Sequence, residues 1–378
     1  MLIGIDASGA ATPEPTGTEN YSWRLITELL RLPGEHRFRL YLRERPAEGR
    51  FEEAGHAEQA VMPFPRLWTH LRLSFEMAVR PPDVLFVPAH VLPLIHPRRS
   101  VVTVMDLGYL YYPQTHRCLS RRYLDGSTRW NARQARRLIA ISGATRDDLV
   151  RRYGTDPAKV TVIYPGVDGM GRVDDGEEIR GVRARHGLPS FYLLYVGTLH
   201  PRKNLVRLVR AFGLLLGSWP STAGEPPTLA LAGKKGWLYD EIFAEVRRLG
   251  LEGRVLFPGY VPQADLPALI SGASAFVFPS LFEGFGFPVL EAMACDVPVV
   301  CSRASCLPEV AGDAALLVDP TDVDALAGAM RQALTDESLR RELIARGLRQ
   351  AARFSWDRCA AETLAVLTNL RVGESTNG

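Results

Sequence analysis

Apolar and polar positions alternate along this chain as short solid runs and longer periodic stretches. In the first half, apolar or β-branched runs recur at Leu2–Ile5, Phe38–Leu42, Val84–Val87, Val101–Val104, Leu138–Ile141 and Val160–Tyr164. Their brevity and unbroken apolarity suit strands buried on both faces. Between them lie helical patterns. From Tyr21 to Leu32, residues Trp23, Ile26, Leu29 and Leu30 fall at helical spacing. Ser142 stands where a helix N-cap belongs, with Asp147 and Asp148 close behind. The second half restarts the rhythm, with runs at Tyr192–Val196, Thr228–Ala232, Val255–Phe257, Ala275–Phe278, Val297–Cys301 and Ala315–Val318. A long helical pattern begins at Asn204, with Leu205, Leu208, Phe212, Leu215 and Leu216 on one face. Three more helical segments close the chain, at 322–335, 337–354 and 356–370.

Strand alternating with helix predicts parallel sheets with crossover helices, an α/β fold. The 378 residues suffice for two domains, each with its own core. The polar stretch 169–188 lacks apolar periodicity, which predicts a linker there. The expected division is 1–170, 171–355 and a terminal segment 356–378.

Composition narrows the class. No charge-free apolar stretch is long enough to cross a membrane. Asp6 interrupts the first apolar run too early for a signal peptide, so the expected compartment is the cytosol. Five cysteines without a C-x-x-C pair support neither disulfides nor zinc, and predict free, buried thiols. Net charge is +3 but uneven: residues 1–170 carry 23 Lys and Arg against 18 Asp and Glu. The excess gathers at Arg117, Arg121, Arg122, Arg129, Arg133, Arg136 and Arg137. This predicts either a solvated helix face or a surface for anionic lipid headgroups or a phosphate-bearing acceptor, peripheral to the inner membrane face. No nucleic-acid motif accompanies these arginines, so no nucleic-acid partner is expected.

Ligands of open parallel sheets bind beyond the carboxyl ends of the strands. The most informative loop there is within Phe276–Glu291, which reads as strand, glycine-rich turn, helix. Gly284 and Gly286 permit close backbone approach, and Pro288 suits the first helical turn. Free amides from Gly284 through Phe285 and Gly286 to Phe287 can hold an anion. Glu283 and Glu291 bracket that turn and can accept sugar hydroxyls. The second loop, Val196 to Asn204, includes Gly197, Thr198, His200, Arg202 and Lys203. Two cations beside a helix start are unfavourable for the helix dipole unless an anion lies between them. Arg202 and Lys203 could stabilise a leaving diphosphate without metal, and no D-x-D sequence ends a predicted strand. Asp106 ends another strand, where a cleft role and simple capping of the next turn both remain open. Gly17 lies near the first helix start, where it could touch phosphate. His90, His116 and His200 lie in candidate loops, more simply as hydrogen-bonded loop histidines.

Together these residues resemble the retaining glycosyltransferases of family 4, which have the GT-B fold. The resemblance rests on Thr16-Gly17 with Tyr21, Asp106, Ser142, Tyr164 to Asp168, Val196 to Asn204, Ala232-Gly-Lys, Pro308-Glu309 and Phe354 to Trp356. Its most specific part is the pair Glu283 and Glu291. The resemblance implies two Rossmann-like domains facing a cleft, with a final helix crossing back to the N-terminal domain. It implies that Lys203 and Arg202 hold the donor diphosphate, Glu283 the transferred sugar and Glu291 the ribose. Gly259, Tyr260 and Val261 would face the base. No cofactor or metal is implied; the nucleotide-sugar is a substrate, and the acceptor a glycan, a lipid-linked glycan or a small molecule. Mannose from GDP-mannose ranks ahead of glucose from a UDP donor. Two positions depart from the pattern: Met105 replaces a usual histidine, and Thr198 stands where many members have arginine. Met105 keeps a rival reading open, a catalytically silent nucleotide-sugar-binding partner. A GT-B phosphorylase or sugar-phosphate synthase is a further rival.

Overall fold

The computed structural model describes residues 1–11, 17–46, 50–51, 57–89, 91–113 and 118–370. Two compact units emerge, one of Met1–Gly166 with the segment from Phe354 onward, the other of Val167–Arg353.

The first unit is built on seven parallel strands: β1 (Leu2–Asp6), β2 (Arg37–Leu42), β3 (Ala57–Val61), β4 (Val84–Val87), β5 (Ser100–Val104), β6 (Arg137–Ala140) and β7 (Val160–Val162). They lie in the order β3-β2-β1-β4-β5-β6-β7. The central strands are the solid apolar runs of the sequence, and β4 and β5 are buried at every position. β3 has the sequence Ala-Glu-Gln-Ala-Val, which carries no apolar run. It forms at the sheet edge, where only β2 pairs with it and Arg39 meets Glu58 at 2.8 Å. Among the described residues before Val167, the helices beside the sheet are α1 (Gly17–Arg31), α2 (Ser74–Val79), α3 (Gly108–Tyr111), α4 (Cys118–Gln134) and α5 (Gly143–Tyr153). Ser142 caps α5, its hydroxyl accepting from the Thr145 amide at 3.1 Å.

The second unit has six parallel strands: β8 (Tyr192–Val196), β9 (Thr228–Ala232), β10 (Val255–Gly259), β11 (Ala275–Phe278), β12 (Val299–Ser302) and β13 (Ala315–Val318). Their order is β10-β9-β8-β11-β12-β13. Its helices are α6 (Gly176–Arg185), α7 (Leu205–Gly217), α8 (Asp240–Arg248), α9 (Leu266–Ser271), α10 (Phe287–Ala294), α11 (Leu307–Ala311), α12 (Val323–Thr335) and α13 (Glu337–Ala351). The last helix, α14 (Trp356–Thr368), belongs to the first unit. It packs on α1, with the Tyr21 and Trp356 rings 5.9 Å apart.

Two sequence expectations are corrected. The stretch 169–188 is not a plain linker, because α6 lies within it, capped by Asp175. Val182 is its one fully buried residue, so no apolar period announces the helix. Polar contacts reinforce this region, as Arg185 and His186 meet Asp265 at 2.8 and 2.9 Å. All five cysteines are free, but Cys118 is exposed, unlike the other four.

In each unit the strand order reverses beside the first strand, between β1 and β4 and between β8 and β11. Loops leaving the carboxyl ends of those strands are placed to bind ligands.

Candidate active site

The second unit concentrates its chemistry on the loops after β8 and β11. β8 ends in Val196, and Gly197 follows at φ 152°. A side chain on Gly197 would stand 2.6 Å from the Tyr195 hydroxyl. Gly233, in the neighbouring loop, comes so close that a Cβ would lie 2.0 Å from the Gly197 carbonyl. Glycine at both positions lets the two loops run side by side, with the Leu199 amide donating to the Lys234 carbonyl at 2.9 Å. Thr198 is exposed. His200 then caps a short turn of Pro201–Lys203, its ring nitrogen accepting from the Arg202 amide at 3.3 Å.

Asn204 closes that turn in the left-handed conformation, φ 62°. Its buried amide nitrogen donates to the carbonyls of Pro279, at 3.1 Å, and Pro320, at 2.6 Å. The Leu281 amide donates to the Arg202 carbonyl at 2.9 Å. The β8 loop is thereby stitched to the β11 loop through backbone and side chain together. Asn204 was not singled out in the sequence. A polar residue between a basic pair and an amphipathic helix was the available signal.

Across this seam the Lys203 ammonium donates to the Glu283 carboxylate at 2.6 Å. The same ammonium lies 5.2 Å from the centre of the Phe278 ring. Glu283 is only 8% exposed. Burial alone would raise its pKa, but the Lys203 and Arg202 charges and the Lys203 hydrogen bond outweigh it and hold the carboxyl below its ordinary value. Glu283 is therefore a carboxylate at neutral pH. Its backbone is gripped from behind: the Ser305 hydroxyl donates to the Glu283 carbonyl at 2.6 Å, and the Cys306 thiol approaches the Glu283 and Phe285 carbonyls at 3.2 and 3.0 Å. Nothing in the sequence pattern singled out Ser305 or Cys306.

Gly286, at φ 101°, caps α10, and a Cβ there would meet Leu307 at 2.7 Å. Pro288 lies in the first turn of α10, where no N–H is missed. Gly284, Phe285 and Gly286 are buried, and the Phe287 ring meets Phe285 edge-on at 5.1 Å. Glu291 lies one turn into α10 and is partly exposed. Desolvation pushes its carboxyl up to about 7. Two carboxylates eight positions apart thus have opposite tendencies. Tyr260, after β10, is exposed, with the Lys234 ammonium 4.6 Å from its ring centre, while Val261 is buried.

The first unit is arranged differently. Asp106 follows β5, and its carboxylate accepts from the Gly108 amide at 2.8 Å, the turn-capping arrangement. The carbonyl of Met105 accepts from the Thr145 hydroxyl at 3.2 Å. Gly17 opens α1, exposed, and a Cβ there would meet nothing within 4 Å. Packing does not require glycine at that position. Thr16, His90, His116 and Arg117 lie outside the described residues. Among the described residues no group of His, Cys, Asp and Glu is placed to hold a metal ion, and no helix is long and apolar enough to cross a membrane.

Comparison with known proteins agrees with the fold. Residues 181–350 match the family described as Glycosyl transferases group 1, and residues 15–169 match Glycosyltransferase Family 4. The chain is 39% identical over 269 residues to O-antigen chain mannosyltransferase B of Escherichia coli, covering 70% of this chain and 69% of that protein. It is 33% identical over 240 residues to the serotype-specific mannosyltransferase WbdA of Escherichia coli, covering 62% of this chain but 29% of that longer protein. Among solved structures, HepE of Anabaena in complex with UDP and glucose superposes with a TM-score of 0.74 at 20% identity, covering 97% of this chain and 99% of HepE.

Proposed function

The chain belongs to the family 4 glycosyltransferases, with their GT-B fold, and we propose from that premise that it transfers a hexose from a nucleotide-sugar with retention of configuration. Mannose from GDP-mannose is the preferred donor and a glycan or lipid-linked glycan hydroxyl the acceptor. The two mannosyltransferase relatives, one of them an O-antigen chain mannosyltransferase, support that preference. Contact of the N-terminal unit with a membrane surface belongs to the same reading.

The observation that carries the proposal is the Lys203–Glu283 pair, held across the seam between the β8 and β11 loops. A cation and a buried carboxylate at the switch point can divide the donor between them. In this reading Lys203 turns to the diphosphate, with Arg202 beside it, and neutralises the charge that grows as the glycosyl bond breaks. Glu283 then accepts hydroxyl hydrogens of the transferred sugar. The amides of Gly284 to Phe287, at the start of α10, add to the anion site. Gly197 and Thr198 line the donor from the other loop, and Glu291 accepts from a ribose hydroxyl. Tyr260 and Val261 flank the base. Gly17 and Asp106 are assigned by resemblance to the N-terminal unit's share of the chemistry. The acceptor oxygen attacks from the face the phosphate leaves, and the departing phosphate oxygen takes its proton. No side-chain nucleophile and no metal enter the scheme. A second reading, a catalytically silent nucleotide-sugar binder, is favoured only by Met105.

A thermal-shift panel of GDP, UDP, ADP and pyrophosphate in EDTA, on wild type and Lys203→Ala, tests the proposal. A nucleotide at about 100 times its Kd stabilises the state it binds by roughly 2.7 kcal/mol. GDP should rank first, with the shift lost in Lys203→Ala. UDP ranking first would overturn the mannose preference. No shift with any nucleotide in EDTA, restored by magnesium, would overturn the metal-free scheme. No shift under either condition would overturn the donor site itself.

A further inference from the structure

The turn from Glu283 to Gly286 is held by a short segment that the proposed chemistry does not use. Ser305 and Cys306 lead into α11, and Leu307 begins it. Each of the three meets the turn. The Ser305 hydroxyl donates to the Glu283 carbonyl at 2.6 Å. The Cys306 thiol shares its proton between the Glu283 and Phe285 carbonyls, at 3.2 and 3.0 Å. The Leu307 side chain packs so close to Gly286 that a Cβ there would stand 2.7 Å from it.

The two polar contacts do nothing for α11 itself. Cys306 occupies its N-cap position, where a polar side chain ordinarily accepts from the first helical amides. The Cys306 side chain makes no such cap bond. Ser305 has φ 56°, in the left-handed region that a residue with a side chain seldom adopts. Such a conformation persists where the surroundings fix it, and here the fixing bond goes to the Glu283 carbonyl.

Fixing a carbonyl also fixes the amide across its peptide plane. The described peptide bonds are trans, so a carbonyl and the N–H of the next residue point in opposite directions. The clamped Glu283 carbonyl therefore turns the Gly284 amide away from Ser305 and Cys306. The clamped Phe285 carbonyl does the same for the Gly286 amide. Both planes have glycine on their far side, the residue that resists rotation least. Gly284 and Gly286 are buried, and among the described residues their amides donate to no protein group. A buried donor left unpaired costs stability, which a ligand oxygen would relieve.

We infer that Ser305 and Cys306 are positioning residues that lock the Glu283–Gly284 and Phe285–Gly286 peptide planes, presenting the two buried amides to a phosphate oxygen of the donor. The inference rests on the donor site proposed above and adds what orients its amides.

Crystal structures of the full chain, with calorimetric titration of GDP and UDP in EDTA, test it. Ser305→Gly removes the hydroxyl while tolerating φ 56°. Combined with Cys306→Ala, it should leave at least one of the two planes turned over in the crystal. Nucleotide affinity should fall at least on the order of tenfold, the worth of one hydrogen bond to a charged group. Cys306→Ser should recover most of what Cys306→Ala alone loses, because serine and alanine fill the site almost equally but only serine donates. Equal losses in those two single variants would assign the thiol to packing and overturn the inference. A double variant that keeps both planes in place, or binds nucleotide as the wild type does, would overturn it too. If the double variant does not fold, the comparison of Cys306→Ala with Cys306→Ser decides. A wild type that binds neither nucleotide would instead overturn the donor site, and the planes in the variant crystals would still decide the clamp.

Discussion

The two units place their first strand between the second and fourth in the same way, yet they hold the loops at the strand ends differently. In the C-terminal unit, polar groups bridge from one loop to another: Asn204 reaches Pro279 and Pro320, Arg202 meets Leu281, and Lys203 meets Glu283. In the N-terminal unit the bridge between loop ends runs from the Thr145 hydroxyl to a backbone carbonyl, that of Met105, and joins no pair of charged side chains. Asp106 caps its own turn, and Gly17 stands in open space. Bridged groups are fixed in position before any ligand arrives, which is what stabilising a developing charge requires. The contrast therefore predicts that substitutions in the C-terminal seam cost far more activity than those at the N-terminal loop ends.

The largest effect should come from Glu283→Ala. It removes the carboxylate assigned to the sugar and releases Lys203 from its partner. We expect kcat to fall by at least on the order of a hundredfold, the range seen when one preorganised polar group is lost. Circular dichroism should show the fold intact. Near-normal turnover of the purified variant would break the contrast, because the most tightly bridged carboxylate would then be structural only.

Why that pair was half visible in the sequence is instructive. Each member stands in a loop that local pattern identifies: an apolar run, then a glycine turn or basic pair, then a helix. Strands such as β8 and β11 are solid apolar runs, and the expected Tyr192–Val196 and Ala275–Phe278 coincide with them. What local pattern could not supply is the bond between Lys203 and Glu283, 80 residues apart. Asn204 was hidden for the same reason, since its partners are carbonyls of distant loops. The edge strand β3 and the helix α6 were missed because each buries too little to leave an apolar period.

A second, smaller effect separates the two carboxylates. Glu283 has its pKa lowered in the fold, so the stability it contributes is present above the ordinary carboxyl range and is lost as pH falls. Glu291 is the reverse. With its carboxyl pushed up to about 7, the stability it contributes is full below the ordinary value of 4.5 and is lost as pH rises through 7. Above that pH the charge of this partly exposed group opposes folding. Glu291→Gln should therefore be the more stable protein in urea melts at about pH 8 and differ less at about pH 5. On the proposed ribose contact the same variant should also bind nucleotide more weakly, because an amide is a poorer acceptor than a carboxylate. Equal stability at both pH values would mean that Glu291 is well solvated.

The smallest effect probes the other side of the comparison. Met105 is partly exposed, and the contact that anchors it uses the carbonyl, not the side chain. Met105→His should therefore fold normally, with stability within about 0.5 kcal/mol of wild type. A histidine there adds a hydrogen-bonding group that methionine lacks. The gain should be modest, because the group sits on a loop end whose neighbour Asp106 is already engaged by the Gly108 amide. We expect kcat to rise a fewfold, by roughly 1 kcal/mol in barrier, with KM for the donor little changed. A gain of a hundredfold or more would show that the N-terminal loop ends are as decisive as the seam and would erase the contrast between the units. No gain would mean that methionine suits this enzyme's own donor, and that the chemistry rests on the C-terminal seam alone.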